Sequence, residues 1–295
     1  MQTAPACTVA DAGVRLKKRH TISSIEMDMI RYKYLDYSEG SLCVISDGTM
    51  KFTAPKYFND PFDCAPDFDP EKQADYLMEQ KEAIKHIADE HGQSPSQRLM
   101  YKKRLRKKIE NEAREGKYAS VFLEELGICS LSRSPLNLLM WAHYAKNHTG
   151  FVVEFSIPTP QVNSFLNDYE VTKTVNERLV PLAVQYKKEK PLIDPYDDEK
   201  ENMAKNFLTK GKDWDYEQEE RVIDHIRGPG IHPYDRKRIL KSVIAGLRMP
   251  QKNYRTLKNV IAQVNDNLGT EVNLYRASPL KRAYGLEIIN RPDLN

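Results

Sequence analysis

Strand-like and helix-like segments follow one another irregularly along this chain of 295 residues, and their order limits the folds open to it. The mostly apolar run Phe151–Ile157 predicts a buried strand. Two segments before it, 71–92 and 95–116, have the composition and length of helices. No regular β-α-β spacing connects these segments. The sequence therefore predicts an α+β fold with mixed, mostly antiparallel sheets and a helical insertion at about residues 70–118, and not a doubly wound parallel sheet.

Local signals refine this prediction at three places. Met29–Leu35 alternates aromatic with basic residues, which is typical of a strand. An Asp-Gly pair separates residues 42–45 from residues 50–53, which predicts a β-hairpin. Ser94 followed by Pro95 is a typical beginning for the second helix of the insertion.

Composition and charge exclude several classes of protein. The net charge is +3, from 45 basic and 42 acidic residues, so any surface that binds nucleic acid has to be local. No apolar run reaches the roughly 18 residues that a membrane-spanning helix needs. The pattern predicts a flexible leader over residues 1–25 and a single α+β domain over 26–295. The cysteines are widely spaced, which predicts no structural metal site and reduced thiols in a cytoplasmic protein; they are Cys7, Cys43, Cys64 and Cys129.

The most informative chemical segment is the alternating stretch 214–226. In a strand, Glu217, Glu219 and Arg221 would share one face. Two carboxylates on one face raise each other's pKa, and a neighbouring arginine lowers it, which is how a site separates a general base from an anchoring carboxylate. Glu219 and Glu217 are therefore the candidate catalytic residues, with Arg221 beside them. The structural alternative is a solvated edge strand with cross-strand ion pairs.

Other segments supply candidate binding residues. Ser130 and Ser132 would share a strand face and could orient a ligand or a carboxylate. Trp141 and Tyr144 lie on a short helix predicted over 135–145, where they could form a stacking pocket or simply pack in the core. On the first strand, an arginine or a tyrosine could bind a phosphate or stack on a ring, and the candidates there are Arg31 and Tyr34.

A basic run on the second insertion helix is a candidate nucleic-acid contact. Acidic residues follow the run, so an ordinary solvated helix face is the alternative. The basic residues are Lys102, Lys103, Arg104, Arg106, Lys107 and Lys108.

Several of these motifs together resemble a bacterial family catalogued only as a domain of unknown function. The resemblance covers roughly residues 30 to 280, with its motifs in the family's order. The motifs are Arg31–Tyr34, Lys51–Pro55, Phe58–Asp63, Met140–Tyr144, Gly150–Phe155, Trp214–Arg221 and Val243–Gly246.

A second resemblance, to ADP-ribosyltransferases of the toxin type, implies an activity in bacterial defence or toxin biology. That family carries an arginine on its first strand, a Ser-x-Ser strand and a Glu-x-Glu segment. Here the matching residues are Arg31, Ser130 with Ser132, and Glu217 with Glu219, although Leu131 replaces the family's central threonine.

The resemblance also implies roles in a reaction that consumes NAD. Arg31 would hold the pyrophosphate or ribose of NAD, a role that Tyr32 or Tyr34 could take instead. The two serines would orient the catalytic carboxylate and the nicotinamide ribose. Glu219 would stabilise an oxocarbenium-like transition state, and Glu217 would position a protein or nucleic-acid acceptor.

Two other functions stay open from the sequence. A metal-dependent nuclease or other phosphodiester enzyme would recruit acidic residues with a lysine; the candidates are Asp60, Asp63, Glu154 and Glu219. A non-catalytic sensor or effector-binding module would bridge Glu217 and Glu219 to surface cations and would have no pocket.

Overall fold

A computed structural model describes residues 28–90, 94–116, 122–158 and 176–294. The predicted leader lies outside these residues. The strands are β1 Met29–Leu35, β2 Thr49–Phe52, β3 Asp67–Phe68, β4 Gly127–Ser132, β5 Phe151–Ile157, β6 Leu182–Ala183, β7 Gln185–Lys187, β8 Leu192–Ile193, β9 Thr209–Gly211, β10 Glu219–Asp224, β11 Gly230–Pro233, β12 Leu240–Ala245, β13 Asn273–Pro279 and β14 Leu286–Ile288.

Helices separate these strands. They are α1 Glu39–Ser46, α2 Pro70–Glu79, α3 Lys81–Glu90, α4 Pro95–Arg114, α5 Phe122–Glu125, α6 Leu138–His143, α7 Glu199–Phe207, α8 Arg236–Ile239 and α9 Gln251–Leu268. Short 3-10 helices occupy Pro55–Tyr57, Lys212–Glu217 and Pro292–Leu294.

The main sheet, within the described residues, has eight strands in the order β14-β13-β12-β5-β1-β4-β10-β6. Its neighbouring strands run antiparallel except for the parallel pair β12 and β13. The prediction of an α+β fold with mixed, mostly antiparallel sheets is confirmed. The helical insertion is confirmed as α2, α3 and α4, and Ser94 begins α4 with a capping box to Gln97.

The two faces of the main sheet carry separate cores. On one face, α9 packs the buried side chains Leu257, Ile261 and Val264 against strand residues that include Val153 and Phe155. On the other face, Trp141 of α6 packs with a second group of buried residues: Tyr32, Tyr34, Val152 and Ile244. The second face is the one that holds the candidate site.

Two sequence predictions are wrong in their local structure. Residues 42–45 belong to α1 and not to a hairpin, because Ser38 caps that helix by accepting a hydrogen bond from the amide of Ser41. The strand predicted over 214–226 begins only at Glu219. Glu217 ends the preceding 3-10 helix, and Gln218 has a left-handed backbone conformation with φ of 46°. None of the helices in the described ranges is both long and apolar enough to cross a bilayer.

Candidate active site

Cross-strand register brings the predicted serines and Glu219 together. Ser132 lies opposite Glu219 in the pairing of β4 with β10, and Ser130 lies opposite Arg221. Directly opposed residues of an antiparallel pair project from the same face. Tyr32 of β1 is opposite Ser132 in turn, so Tyr32, Ser132 and Glu219 form one row across three strands.

A cavity of about 440 Å³ opens on this row of residues. Tyr32 and Ser132 are the paired residues of β1 and β4 in the described structure, and Lys33, the next residue of β1, also lines the cavity. The rings that line the cavity are Tyr32, Tyr34, Tyr57, Phe58, His143 and Tyr144, and the ionisable groups are Lys33, Asp63, Lys210, Glu217 and Glu219.

Glu219 is buried between two cations. Its carboxylate accepts hydrogen bonds from Arg221 Nε at 2.9 Å and Nη2 at 3.0 Å, and from Lys210 Nζ at 3.1 Å. Burial alone would raise the pKa of this carboxyl, but the charges of Arg221 and Lys210 outweigh burial and lower it to about 2, and the Ser130 hydroxyl also lowers it. Glu219 is therefore ionised throughout the physiological range.

Arg221 is itself fully buried beneath the cavity. Its Nη2 donates to Asp63 at 2.6 Å, its Nη1 donates to the carbonyl of Phe207 at 2.8 Å, and its guanidinium lies 5.4 Å from the centre of the Phe58 ring. These contacts satisfy a charge that would otherwise be costly to bury. Arg221 therefore fixes the orientation of Glu219.

Glu217 has a different environment from Glu219. Its carboxylate accepts hydrogen bonds from Lys210 Nζ and, at 2.5 Å, from the Tyr144 hydroxyl. Burial raises the pKa of Glu217 in spite of the opposing charge of Lys210. Burial and the bond to Glu217 likewise raise the pKa of Tyr144. The site thus contains two neighbouring carboxyl groups whose pKa values are shifted in opposite directions.

The backbone around the two glutamates is held by side chains of other elements. The Ser132 hydroxyl donates to the carbonyl of Glu217 at 2.7 Å, and Asn137 donates to the carbonyl of Tyr216 at 2.8 Å. The amide of Glu219 donates to the hydroxyl of Tyr186 at 2.6 Å, and burial raises the pKa of that hydroxyl to about 12. Ser132 therefore positions the backbone of Glu217 and not the carboxylate of Glu219.

The predicted site residues are not all brought together. Those that line the cavity are Tyr34, Ser130, Ser132, Tyr144, Glu217 and Glu219, with Arg221 directly behind Glu219. Trp141 is a core residue whose indole donates to the carbonyl of Pro135 at 2.7 Å. Arg31 binds Glu220, which also accepts from Arg133 at 2.7 Å. Glu220 lies on the opposite face of β10 from Glu219, and its partner Arg31 therefore lies away from the cavity. Neither Arg31 nor Trp141 is part of the cavity wall in the described structure.

The sequence analysis missed two groups at the centre of the site. Lys210 lies on the short strand β9, and no motif around it distinguishes it from other lysines. Asp63 ends one of the motifs that carry the family resemblance, and that motif is the signal that could have identified it. Lys33 and the rings of Tyr57 and Phe58 also became site residues only through the fold.

The carboxylates named for a metal-dependent enzyme have other partners. Asp60 accepts from the amide of Phe62, Glu154 binds Arg291, and Asp63 and Glu219 bind Arg221. In the part of the chain that the structure describes, no group of three or more His, Cys, Asp or Glu side chains is arranged to hold a metal ion. The pattern expected of a simple sensor also differs, because one buried cation, Lys210, bridges Glu217 and Glu219 beside a cavity.

The fold and the site define an α+β protein with a buried cluster of acidic and basic side chains at the edge of a cavity. A protein-family model described as Protein of unknown function (DUF2971) matches residues 140–222, the segment from α6 into β10. The resemblance to a family of unknown function is confirmed over that segment, which contains Tyr144, Lys210, Glu217, Glu219 and Arg221. No curated protein and no solved structure matches the chain, so the resemblance to ADP-ribosyltransferases stays a prediction.

Proposed function

We propose that this protein is an enzyme that cleaves the glycosidic bond of NAD and transfers ADP-ribose to a macromolecular acceptor. The observation that supports the proposal is the environment of Glu219. Its carboxylate is buried, ionised and fixed by Arg221 and Lys210 at the wall of an aromatic cavity. Ser132 lies opposite it on the neighbouring strand, and Ser130 lies opposite Arg221.

The chemistry needs a fixed negative charge beside an anomeric carbon. When the bond from the ribose to nicotinamide breaks, its electron pair goes to the positively charged pyridinium nitrogen, so nicotinamide leaves neutral without receiving a proton. The ribose becomes oxocarbenium-like, and a preorganised carboxylate stabilises the charge that develops there. Glu219 suits this role because its low pKa keeps it ionised.

The acceptor, in contrast, has to lose a proton when its oxygen or nitrogen bonds to the anomeric carbon. A carboxylate with a raised pKa is a better base near neutral pH than an ordinary one. Glu217 has a raised pKa, lies at the cavity wall and is hydrogen-bonded to Tyr144. The division of roles between Glu219 and Glu217 follows the separation of their pKa values.

The cavity suits the nicotinamide end of the substrate. Its volume of about 440 Å³ lies within the usual range for small-molecule sites. Tyr34, Tyr57 and Tyr144 offer rings for a planar aromatic group. Lys33 lines the cavity and donates to the carbonyl of Ser130 at 2.7 Å. We assign to Lys33 the phosphate contact that the sequence assigned to Arg31.

The acceptor is a protein or a nucleic acid in this proposal, and the expected setting is the cytoplasm of a bacterium in conflict with phage. Contact between α4 and nucleic acid belongs to the same proposal. On that helix, Arg106 already pairs with Asp75 and Glu110, and Lys108 pairs with Glu112. Among the described residues, the basic residues of the run without an acidic partner are Lys102, Lys103, Arg104 and Lys107.

Release of nicotinamide from NAD by purified protein tests the proposal, with cellular protein, RNA or DNA as acceptor. Removing one preorganised charge from a transition state typically costs about 10² to 10³ in rate. We expect a loss of that order in Glu219→Gln and a smaller loss in Tyr144→Phe, which keeps the ring but not the hydrogen bond to Glu217.

The matched control is Glu220→Gln. Glu220 is the next residue on the same strand and is also ion-paired, but it lies on the opposite face of the sheet. The Glu220→Gln variant should release nicotinamide from NAD at the same rate as the unaltered protein. Circular dichroism establishes that each variant is folded. Absence of NAD cleavage with every acceptor, or equal rates for Glu219→Gln and the unaltered protein, would refute the proposed function.

A further inference from the structure

A second cavity, of about 360 Å³, lies on the other side of Lys210 from the candidate active site. Lys210 lines both cavities. The loop after the 3-10 helix Pro55–Tyr57 also divides them, since Asn59 and Asp63 line the first cavity and Asp60 and Phe62 line the second. A molecule in the second cavity would therefore lie next to the carboxylates of the first.

Lysines dominate one part of the second cavity. Lys187 and Lys188 are exposed and have no acidic partner among the described residues, and Lys190 is 3.6 Å from Asp67. The carboxylates of Asp60, Glu189 and Asp213 also line the cavity, four lysines against three acids when Lys210 is included. Because the net charge is small, recognition of an anion here needs a second kind of contact.

Aromatic rings supply that second contact. Phe62 and Trp214 line the second cavity, and Tyr57 lines the first. Phe62 is 68% exposed and Tyr57 is 71% exposed, so both rings lie at the cavity mouths. Together they offer exposed aromatic surface on which a planar ligand can stack.

Each of these rings lies close to a lysine ammonium group. Lys190 Nζ is 5.6 Å from the centre of Phe62, Lys210 Nζ is 4.9 Å from Trp214, and Lys56 Nζ is 5.0 Å from Tyr57. Stacking rings interleaved with cations are the recurrent means of binding single-stranded nucleic acid, because bases stack on the rings while phosphates contact the cations.

We propose that the second cavity and its aromatic rim bind single-stranded nucleic acid, with bases on Trp214 and Phe62 and phosphates on Lys187 and Lys188. The exposed rings favour a strand over a free mononucleotide, because they extend the stacking surface outside the cavity. The basic helix α4 packs against β3, and β3 pairs with β8, which begins at Leu192, shortly after Lys190. The role of the bound nucleic acid as the acceptor of ADP-ribose rests on the proposed function.

Binding is measured first, without NAD, by fluorescence anisotropy of labelled single-stranded DNA and RNA of about 12 nucleotides, a length within the usual range of such sites. Loss of one stacked base corresponds to about 5- to 150-fold weaker binding, which we expect for Phe62→Ala. For the double variant Lys187→Gln with Lys188→Gln, the salt dependence should be shallower by about 1.4 in the slope of log K against log salt, because two phosphate contacts are lost.

The control is the double variant Lys252→Gln with Lys258→Gln. Both lysines are exposed on α9, which packs on the opposite face of the sheet. This variant should bind the strand as the unaltered protein does. Tryptophan fluorescence gives a direct reading of the site, because a base stacked on Trp214 quenches it while Trp141 is fully buried.

Three outcomes would overturn the proposal. The first is that the protein binds neither the single-stranded DNA nor the RNA. The second is that none of the cavity variants weakens binding. The third is that free ADP quenches Trp214 fluorescence while neither nucleic acid does. A separate assay of NAD cleavage without acceptor distinguishes the two proposals. If the protein binds single-stranded nucleic acid at the second cavity but never cleaves NAD, the nucleic acid is not an acceptor of ADP-ribose, while the proposed binding site is supported.

Discussion

The row of residues that contains Tyr32 and Ser132 has a buried carboxylate at each end, and each carboxylate is paired with its own arginine. Glu219 is held by Arg221, while Glu154, opposite Tyr32 on β5, is held by Arg291 and by the hydroxyl of Ser242. A buried ion is tolerated only when its partner is present. These arginines therefore contribute more to stability than an ordinary surface cation would.

Arg291→Met should destabilise the protein by about 3–5 kcal/mol, because it leaves the fully buried Glu154 without its cation. Urea or guanidinium unfolding measures the change. Asp293→Asn is the matched control, since Asp293 is the exposed partner of the same arginine and its loss should cost at most about 1 kcal/mol. Equal effects of the two substitutions would contradict this account, as would failure of Glu154→Leu to restore stability in the Arg291→Met protein.

At the scale of elements, the close approach of two backbones explains why a glycine is required at certain contacts. Gly150 immediately precedes β5, and a Cβ atom there would lie 2.1 Å from the carbonyl oxygen of Leu35 and 3.0 Å from that of Ala145. Leu35 is the last residue of β1, and Ala145 follows two residues after the end of α6. The glycine thus allows α6, which supplies Tyr144 to the site, to join β5 tightly beside β1.

Gly150→Ala should destabilise the protein by about 1–3 kcal/mol or more, since backbone atoms cannot move aside as a flexible side chain can. Gly40→Ala is the opposite case. Gly40 lies in α1 with no atom within 4 Å of the added Cβ, so alanine should stabilise the protein by about 0.4–1 kcal/mol. Thermal and chemical unfolding of the two variants should therefore shift in opposite directions, and a shift of Gly150→Ala toward higher stability would disprove the steric explanation.

For the molecule as a whole, the buried cluster links stability to pH. The pKa of Glu219 is about 2 in the folded protein, against 4.5 for an ordinary glutamate. The stabilisation that it provides is complete above about pH 4.5 and is lost as the pH falls toward 2. The shift corresponds to about 3 kcal/mol. The raised pKa of Glu217 contributes with the opposite sign.

The test compares unfolding free energies of the unaltered protein and Glu219→Gln between neutral pH and about pH 2. The difference should be largest near neutrality and should shrink by about 3 kcal/mol on acidification, because only the unaltered protein loses the ionised group. Taking the difference removes the contribution of the remaining carboxylates. A difference that stays constant over this range would show that the Glu219 carboxylate is not stabilised by Arg221 and Lys210.

Local pattern was sufficient for the elements whose stability is local or whose burial is continuous. The alternation of Met29–Leu35 and the apolar run Phe151–Ile157 predicted β1 and β5 with the bounds that the structure has. The cap at Ser94 predicted the beginning of α4. In each case the side chains alternate with the period of a strand, form a continuous apolar run, or cap the first amides of a helix, so neighbours in sequence carry the information.

The sequence by itself also determined which residues of 217–221 carry charge, and Glu217 and Glu219 do meet. They meet for a reason that the pattern did not contain. Glu217 ends a 3-10 helix, the left-handed Gln218 separates it from β10, and Lys210 joins the two carboxylates. Lys210 lies only seven residues before Glu217, but the folding of β9 and the 3-10 helix between them brings its ammonium group to the carboxylates. Asp63 comes from a distant segment, and only the packing of the loop after Phe58 brings it to Arg221.

The register in which β1, β4 and β10 pair decided which of the other predicted residues reach the site. Pairing of Tyr32 with Ser132, and of Ser132 with Glu219, places the tyrosine on the cavity face and leaves Arg31 with Glu220 on the other face. A shift of one residue along β1 would have exchanged the two. The sequence of β1 determined that it is a strand with alternating faces, whereas the tertiary structure decided which face meets the carboxylates, because register depends on the packing of strands that are far apart in the chain.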